Sequence, residues 1–156
     1  MAIKVSAAAP SMNRLVATRL TWLTLRYMEN WAGIVEGYDE AMIVVSVAAI
    51  STERMTRRPL SEEELSLANR LPSERYSKCT VQAIAQATGL NRETARRKIN
   101  RLIERGILEK AQSGSIMFRP GFQQQQIVSQ LISAQLEVFR RTADALLRDG
   151  VLEVTE

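Results

Sequence analysis

The chain reads as mainly α with one small β-hairpin, and three observations predict that class. Apolar residues recur at helical spacing over residues 13–32, 40–55 and 122–148. Residues 80–106, TVQAIAQATGLNRETARRKINRLIERG, carry start and stop signals for two helices about a short glycine turn. Two short extended runs follow, residues 107–111 and 116–119, on either side of Gln112-Ser113-Gly114-Ser115. Two helices, a tight turn and a hairpin in that order are the layout of a winged helix-turn-helix, here with flanking N- and C-terminal helices.

The first ten residues, MAIKVSAAAP, lack the charged-then-apolar pattern of a secretion signal. Over residues 13–32, Leu15, Leu20, Trp22, Leu23, Tyr27 and Trp31 spread over a wide apolar arc, and Gly33 and Gly37 end the helix. Its aromatic residues could line an effector pocket or a dimer interface, with ordinary core packing as the alternative. Asp39 is placed to cap a second helix over residues 40–55. The centre of that helix, AMIVVSVAAI, is apolar nearly all round and predicts burial on most sides. Its β-branched run makes a buried strand the competing reading, but its length and the flanking Glu40 and Glu53 favour helix.

Pro59 and Pro72 punctuate residues 56–77, where Ser61 and Glu64 form a capping box ahead of a short helix over 62–71. Either this helix or residues 40–55 opens the domain; in the second case 56–77 is an insertion. Thr80 then caps a helix over 81–88, Gly89 makes the turn, Leu90 packs beneath it, and Asn91 caps a helix over 92–105 that Gly106 ends. Residues 107–119 form the wing. After Pro120-Gly121, Ile127, Leu131, Ala134 and Val138 make one apolar line along the last helix or helices, with Val128, Ile132, Phe139 and Leu146 close by. That seam suits a second helix, from a dimer partner or from residues 13–32. The predicted division is therefore an N-terminal helical extension (1–38), a DNA-binding domain (39–120) and a dimerisation segment (121–156).

Composition removes several function classes. The chain has no histidine and a single cysteine, Cys79, so histidine triads, Cys/His zinc sites and an internal disulfide are excluded. No P-loop or dinucleotide-binding glycine pattern occurs, and we expect neither an enzyme nor a cofactor. The longest apolar run, residues 41–50, is too short to span a bilayer, so we expect a cytoplasmic protein without a membrane partner. Cys79 is either a small buried hydrophobe or a redox-sensitive thiol at the edge of the motif. Charge is uneven: residues 78–119 hold nine Lys/Arg against three acids, while residues 1–77 hold nine of each. Such a local excess is the footprint expected of phosphate contacts, or else simply a solvated helix face.

At about 100° per residue, Ala95, Ile99 and Leu102 share one face of the second motif helix and point inward. Glu93, Arg97, Asn100 and Arg101 fall opposite, Arg96 flanks them and Arg92 begins the helix. Arginine can pair bidentately with guanine and glutamate can accept from cytosine, so Arg92, Glu93, Arg96 and Arg97 are the candidate base readers. Thr80, Asn91, Thr94, Asn100, Arg101, Lys110 and Arg119 are the candidate phosphate contacts.

Residues 82–108 resemble the helix-turn-helix of the cyclic-AMP receptor (Crp) family of bacterial regulators, through Arg92-Glu93-Thr94 followed by Arg97. The resemblance implies base contact by Arg92, Glu93 and Arg97 and phosphate contact by Thr94. It covers about a fifth of the chain, and no Gly-rich β-roll pattern of a cyclic-nucleotide domain lies upstream. In overall layout the chain is similar to the MarR family, down to the ending Leu102-Ile103-Glu104-Arg105-Gly106-Ile107-Leu108. It departs in the wing, where that family carries Asp-x-Arg and this chain has Gln112-Ser113-Gly114-Ser115. The function expected is that of a homodimeric transcriptional regulator binding a palindromic duplex operator, with a small-molecule effector of unknown identity left open. The alternative is a winged-helix protein–protein module that does not bind DNA.

Overall fold

The computed structural model describes residues 1–155, which are mainly helical with two small antiparallel sheets. Residues 31–129 form one unit, and residues 1–30 with those from 130 onward form another.

In the 31–129 unit, α2 (Tyr38–Ser51) is the central helix and packs against α4 (Val81–Thr88), α5 (Arg92–Glu104) and β3 (Ile116–Phe118). Ala41, Ile43, Val44 and Val47 of α2 are buried, as its all-round apolar composition predicts. Asp39 does not cap α2. The helix starts two residues earlier, at Tyr38, from Gly37 with φ 91°, and no side chain caps it. Asp39 and Glu40 instead sit in the first turn, where negative charge suits the helix dipole. Glu40 reaches back to accept from the Glu36 amide at 3.0 Å.

Residues 40–55 are not one continuous helix. Ser51 and Thr52 donate their hydroxyls to the carbonyls of Val47 and Ala48 at 2.5 and 2.7 Å. Such back-bonding hydroxyls compete with the helical ladder. Thr52 is non-helical, and a short α3 (Glu53–Arg57) follows. The helix expected over 62–71 is also absent; a single turn of 3-10 helix, Glu63–Leu65, stands there. Half of the capping box forms, the Ser61 amide donating to Glu64 at 2.9 Å. Beyond it, Ser66 turns extended and its hydroxyl accepts from the Ala68 amide, while the Asn69 amide group donates to the Glu63 carbonyl. Leu65 and Leu67 are exposed, so no buried apolar face rewards a longer helix.

The hairpin pairs β2 (Leu108–Lys110) with β3 in the register Leu108↔Phe118, Glu109↔Met117 and Lys110↔Ile116. The last helix, α6 (Gln126–Arg148), starts later than Phe122 because Phe122 leaves the line to stack on Phe118, centroids 5.8 Å apart.

The second unit contains a sheet the sequence did not predict. β1 (Ala2–Val5) pairs antiparallel with β4 (Leu152–Thr155), Ala2 opposite Thr155 and Val5 opposite Leu152. The last helix ends at Arg148, where its apolar spacing predicts, and the strand follows it. Ser6 ties the two ends, its amide to the Val151 carbonyl at 2.9 Å and its hydroxyl to the Gly150 carbonyl at 2.7 Å. Ala9, Leu146 and Val151 form a small core with Met12, Val16 and Leu152 packed on it. Arg19 of α1 (Asn13–Ala32) bonds Asp149 at 2.9 Å. No residue of α1 is buried: Trp22 is exposed, with the Arg26 guanidinium 5.5 Å from its ring centroid. No described helix is long and apolar enough to cross a membrane.

Candidate nucleic-acid interface

Local chemistry sets the α4–α5 pair. The Thr80 hydroxyl accepts from the Ala83 amide at 3.1 Å, and the Asn91 side chain accepts from the Glu93 amide at 2.9 Å. Each satisfies an orphan donor of a first helical turn. Gly89, at φ 70°, makes the left-handed turn between the two helices. At the far end, Gly106 donates to the Ile103 carbonyl and Ile107 to the Leu102 carbonyl, at 2.9 and 3.0 Å. This paired closure needs a left-handed residue, and Gly106 has φ 74°. Gly106 is doubly constrained, because a Cβ there would lie 2.9 Å from Nη1 of Arg119.

Ala95, Ile99 and Leu102 are buried, at most 1 % exposed. On the opposite face of α5, Glu93, Arg97, Asn100 and Arg101 are exposed, as are Arg96 beside them and Arg92 in the first turn, while Thr94 is half-buried. Two of the candidate readers hold each other. Arg96 donates through Nε to Glu93 at 3.1 Å and through Nη2 at 2.6 Å. The guanidinium of Arg96 keeps the Glu93 carboxyl below its ordinary range, and Glu93 in turn raises Arg96.

Other basic residues of the segment are structural. Lys98 pairs with Asp39 at 3.3 Å, and Arg105 pairs with Glu40 at 2.8 Å and Glu36 at 3.8 Å. Glu40 is 1 % exposed, so Arg105 joins the end of α5 to the start of α2 through a carboxylate cut off from water. Among the described residues, Lys78, Arg92, Arg97, Arg101, Lys110 and Arg119 make no ion pair. Sequence reasoning missed Lys78, although it flanks the cap residue Thr80. It also missed the Glu40–Arg105 pair, which no local signal announces.

The hairpin is pinned to the entry of α4. The Ile116 amide donates to the Cys79 carbonyl at 2.7 Å, and the Ser115 hydroxyl accepts from the Cys79 amide at 3.0 Å. Lys110 and Arg119 are exposed on this hairpin and its exit. Thr80 is half-buried; its oxygen serves the cap, which leaves its O–H to donate elsewhere.

Cys79 is fully buried, and burial pushes its thiol up to about 11. A protonated, inaccessible sulfur is a poor nucleophile, which argues against a redox switch. The unfolded thiol ionises first as pH rises, so this group's contribution to stability declines between about pH 9 and pH 11. Native protein is expected to react with a thiol reagent at pH 8 only at its unfolding rate; immediate stoichiometric labelling would contradict this.

No group of described residues has the make-up of a metal site. Comparison with protein-family models, with curated proteins and with solved structures found no match.

Proposed function

We propose that the chain is a winged helix-turn-helix transcriptional regulator that binds double-stranded DNA by sequence, with α5 as its recognition helix. The observation that carries this reading is a capped, rigidly seated helix whose exposed side carries Arg97 and Arg101, with Arg92 in its first turn, none of them in an ion pair. Arg92, Arg97 and Arg101 of α5, and Lys78, Lys110 and Arg119 in the flanking segments, make no ion pair in a stretch otherwise rich in them. Unpaired guanidinium and ammonium groups on a rigid, capped helix suit phosphate and guanine. Arg97, exposed within the second turn, is assigned to a base edge, as are Arg92 and the Glu93–Arg96 pair. The pair would open on DNA, giving Glu93 to a cytosine amine and Arg96 to guanine or phosphate. Thr80, Asn91, Thr94, Asn100 and Arg101 are assigned to phosphate.

The unit built from the two ends of the chain is assigned to homodimerisation. Leu20 and Trp22 of α1 and Ile132, Leu136 and Phe139 of α6 are exposed, Leu136 at 65 %. Apolar side chains of that size along two helices suit a second copy of the same helices, and a two-fold dimer matches a palindromic operator. In this reading the protein works in the cytoplasm of a bacterium and needs no cofactor.

Arg97→Ala is the test. Its affinity for a selected specific duplex should fall by about 1–3 kcal/mol while affinity for random duplex changes little. Equal losses on both, or none, would remove the base-reading role. The second reading, a protein–protein module, lacks a supporting observation, because the exposed face of α5 is neither acidic nor apolar.

A further inference from the structure

Residues 77–80 belong to no helix or strand and lead into α4, with Thr80 in extended backbone. The segment is fastened on both sides. The Ser77 amide donates to the Ser51 carbonyl at the end of α2, at 2.8 Å. On the hairpin side, the Ser115 hydroxyl accepts from the Cys79 amide at 3.0 Å and donates to the Cys79 carbonyl at 3.2 Å. The Ile116 amide donates to that same carbonyl at 2.7 Å. One hydroxyl thus spends both its donor and its acceptor capacity on a single residue. Ser51 and Cys79 are buried, so water competes poorly for these bonds.

Side chains alternate along an extended chain. Cys79 points into the core with none of its surface exposed, so its neighbours Lys78 and Thr80 turn outward together. Lys78 is exposed and makes no ion pair among the described residues. Its backbone is held immediately before and after it, by Ser51 on one side and by Ser115 and Ile116 on the other. An ammonium on so fixed a root gives up only side-chain freedom when it settles on an anion. The outward neighbour Thr80 has its O–H left to donate, because its oxygen accepts the capping bond from Ala83.

We propose that Lys78 is a DNA-phosphate contact that acts alongside Thr80, and that Ser115 is the positioning residue that holds it in place. The proposal rests on the DNA-binding reading of the chain. Ser115 never meets the phosphate; it fixes the strand from which Lys78 reaches out. Without its hydroxyl the buried Cys79 amide loses its acceptor, and the segment is released on the hairpin side.

The test uses the full chain, random and selected duplexes, and fluorescence anisotropy across a salt series. Lys78→Gln is expected to weaken binding several-fold at ~100 mM salt, equally on both duplexes, and to lower the salt slope by about one contact per protomer. Ser115→Ala should lower affinity and slope in the same way and add little in the Lys78→Gln background, while Ser115→Thr, which keeps the hydroxyl, should restore both. A role confined to stability would lower the urea midpoint and leave the slope of the folded protein unchanged. Lys78→Gln alters only an exposed side chain, so it tests the contact even where Ser115→Ala does not fold. A parent that binds duplex while Lys78→Gln keeps its affinity and slope would overturn the contact. Full additivity of the two substitutions would overturn the positioning role. A parent that binds no duplex even at low salt would sink the DNA reading itself, and this contact with it.

Discussion

Replacing Arg105 by alanine is expected to destabilise the protein by about 3 kcal/mol, the low end of what stranding a buried carboxylate costs. Glu40 is 1 % exposed and meets the Arg105 guanidinium at 2.8 Å; its other partner is a single amide, that of Glu36. Without Arg105 the carboxylate keeps one hydrogen bond and no counter-charge. The low end applies because the Arg105 side chain is itself one-third exposed and leaves room for water to enter. Combining Arg105→Ala with Glu40→Met, which removes the buried charge, should recover most of the loss. Urea unfolding of both variants decides the matter, and a loss below about 1 kcal/mol in the single variant would show that the pair is not what joins α5 to α2.

Duplex affinity is expected to fall at least about a thousandfold between 50 and 200 mM salt. Each phosphate neutralised by a protein cation releases condensed counterions, and six such contacts give a loss of that size. Lys78, Arg101, Lys110 and Arg119 are the candidates on each protomer, eight across a dimer, which is more than that loss needs. Lys98 and Arg105 should add nothing to the slope, since both are held by carboxylates of α2 or the turn before it. Fluorescence anisotropy across a salt series measures the slope directly. A slope below about one contact would mean these cations do not lie on phosphates.

What could be read in advance was what neighbouring residues determine. The bounds of α4 and the start of α5 follow from Thr80, Gly89 and Asn91, each of which acts within three residues of its own position. The inward triad follows from helical spacing, and burial of Ala95, Ile99 and Leu102 agrees with it. The Glu93–Arg96 pair is equally local, at spacing i,i+3, but the same two side chains also have the chemistry of base readers, and spacing alone does not choose between the two. Residues 62–71 failed for the opposite reason. Their capping signal was genuine, yet Glu64 is drawn to Arg75 and no buried face sustained the helix. β1 and β4 were out of reach because each is short and finds its only partner at the other end of the chain. The open cleft between residues 52–76 and the hairpin exit exists only once those two segments fold against each other.

Selection of bound sites from a random duplex pool tests the central claim most directly, because it asks at once whether α5 meets DNA and whether it reads sequence. The enriched sites should contain two inverted half-sites, centred about one helical turn or roughly 34 Å apart, with guanine at the positions that lose preference in Arg97→Ala. A pool that returns unenriched, or from which nothing is retained even at low salt, would contradict the account.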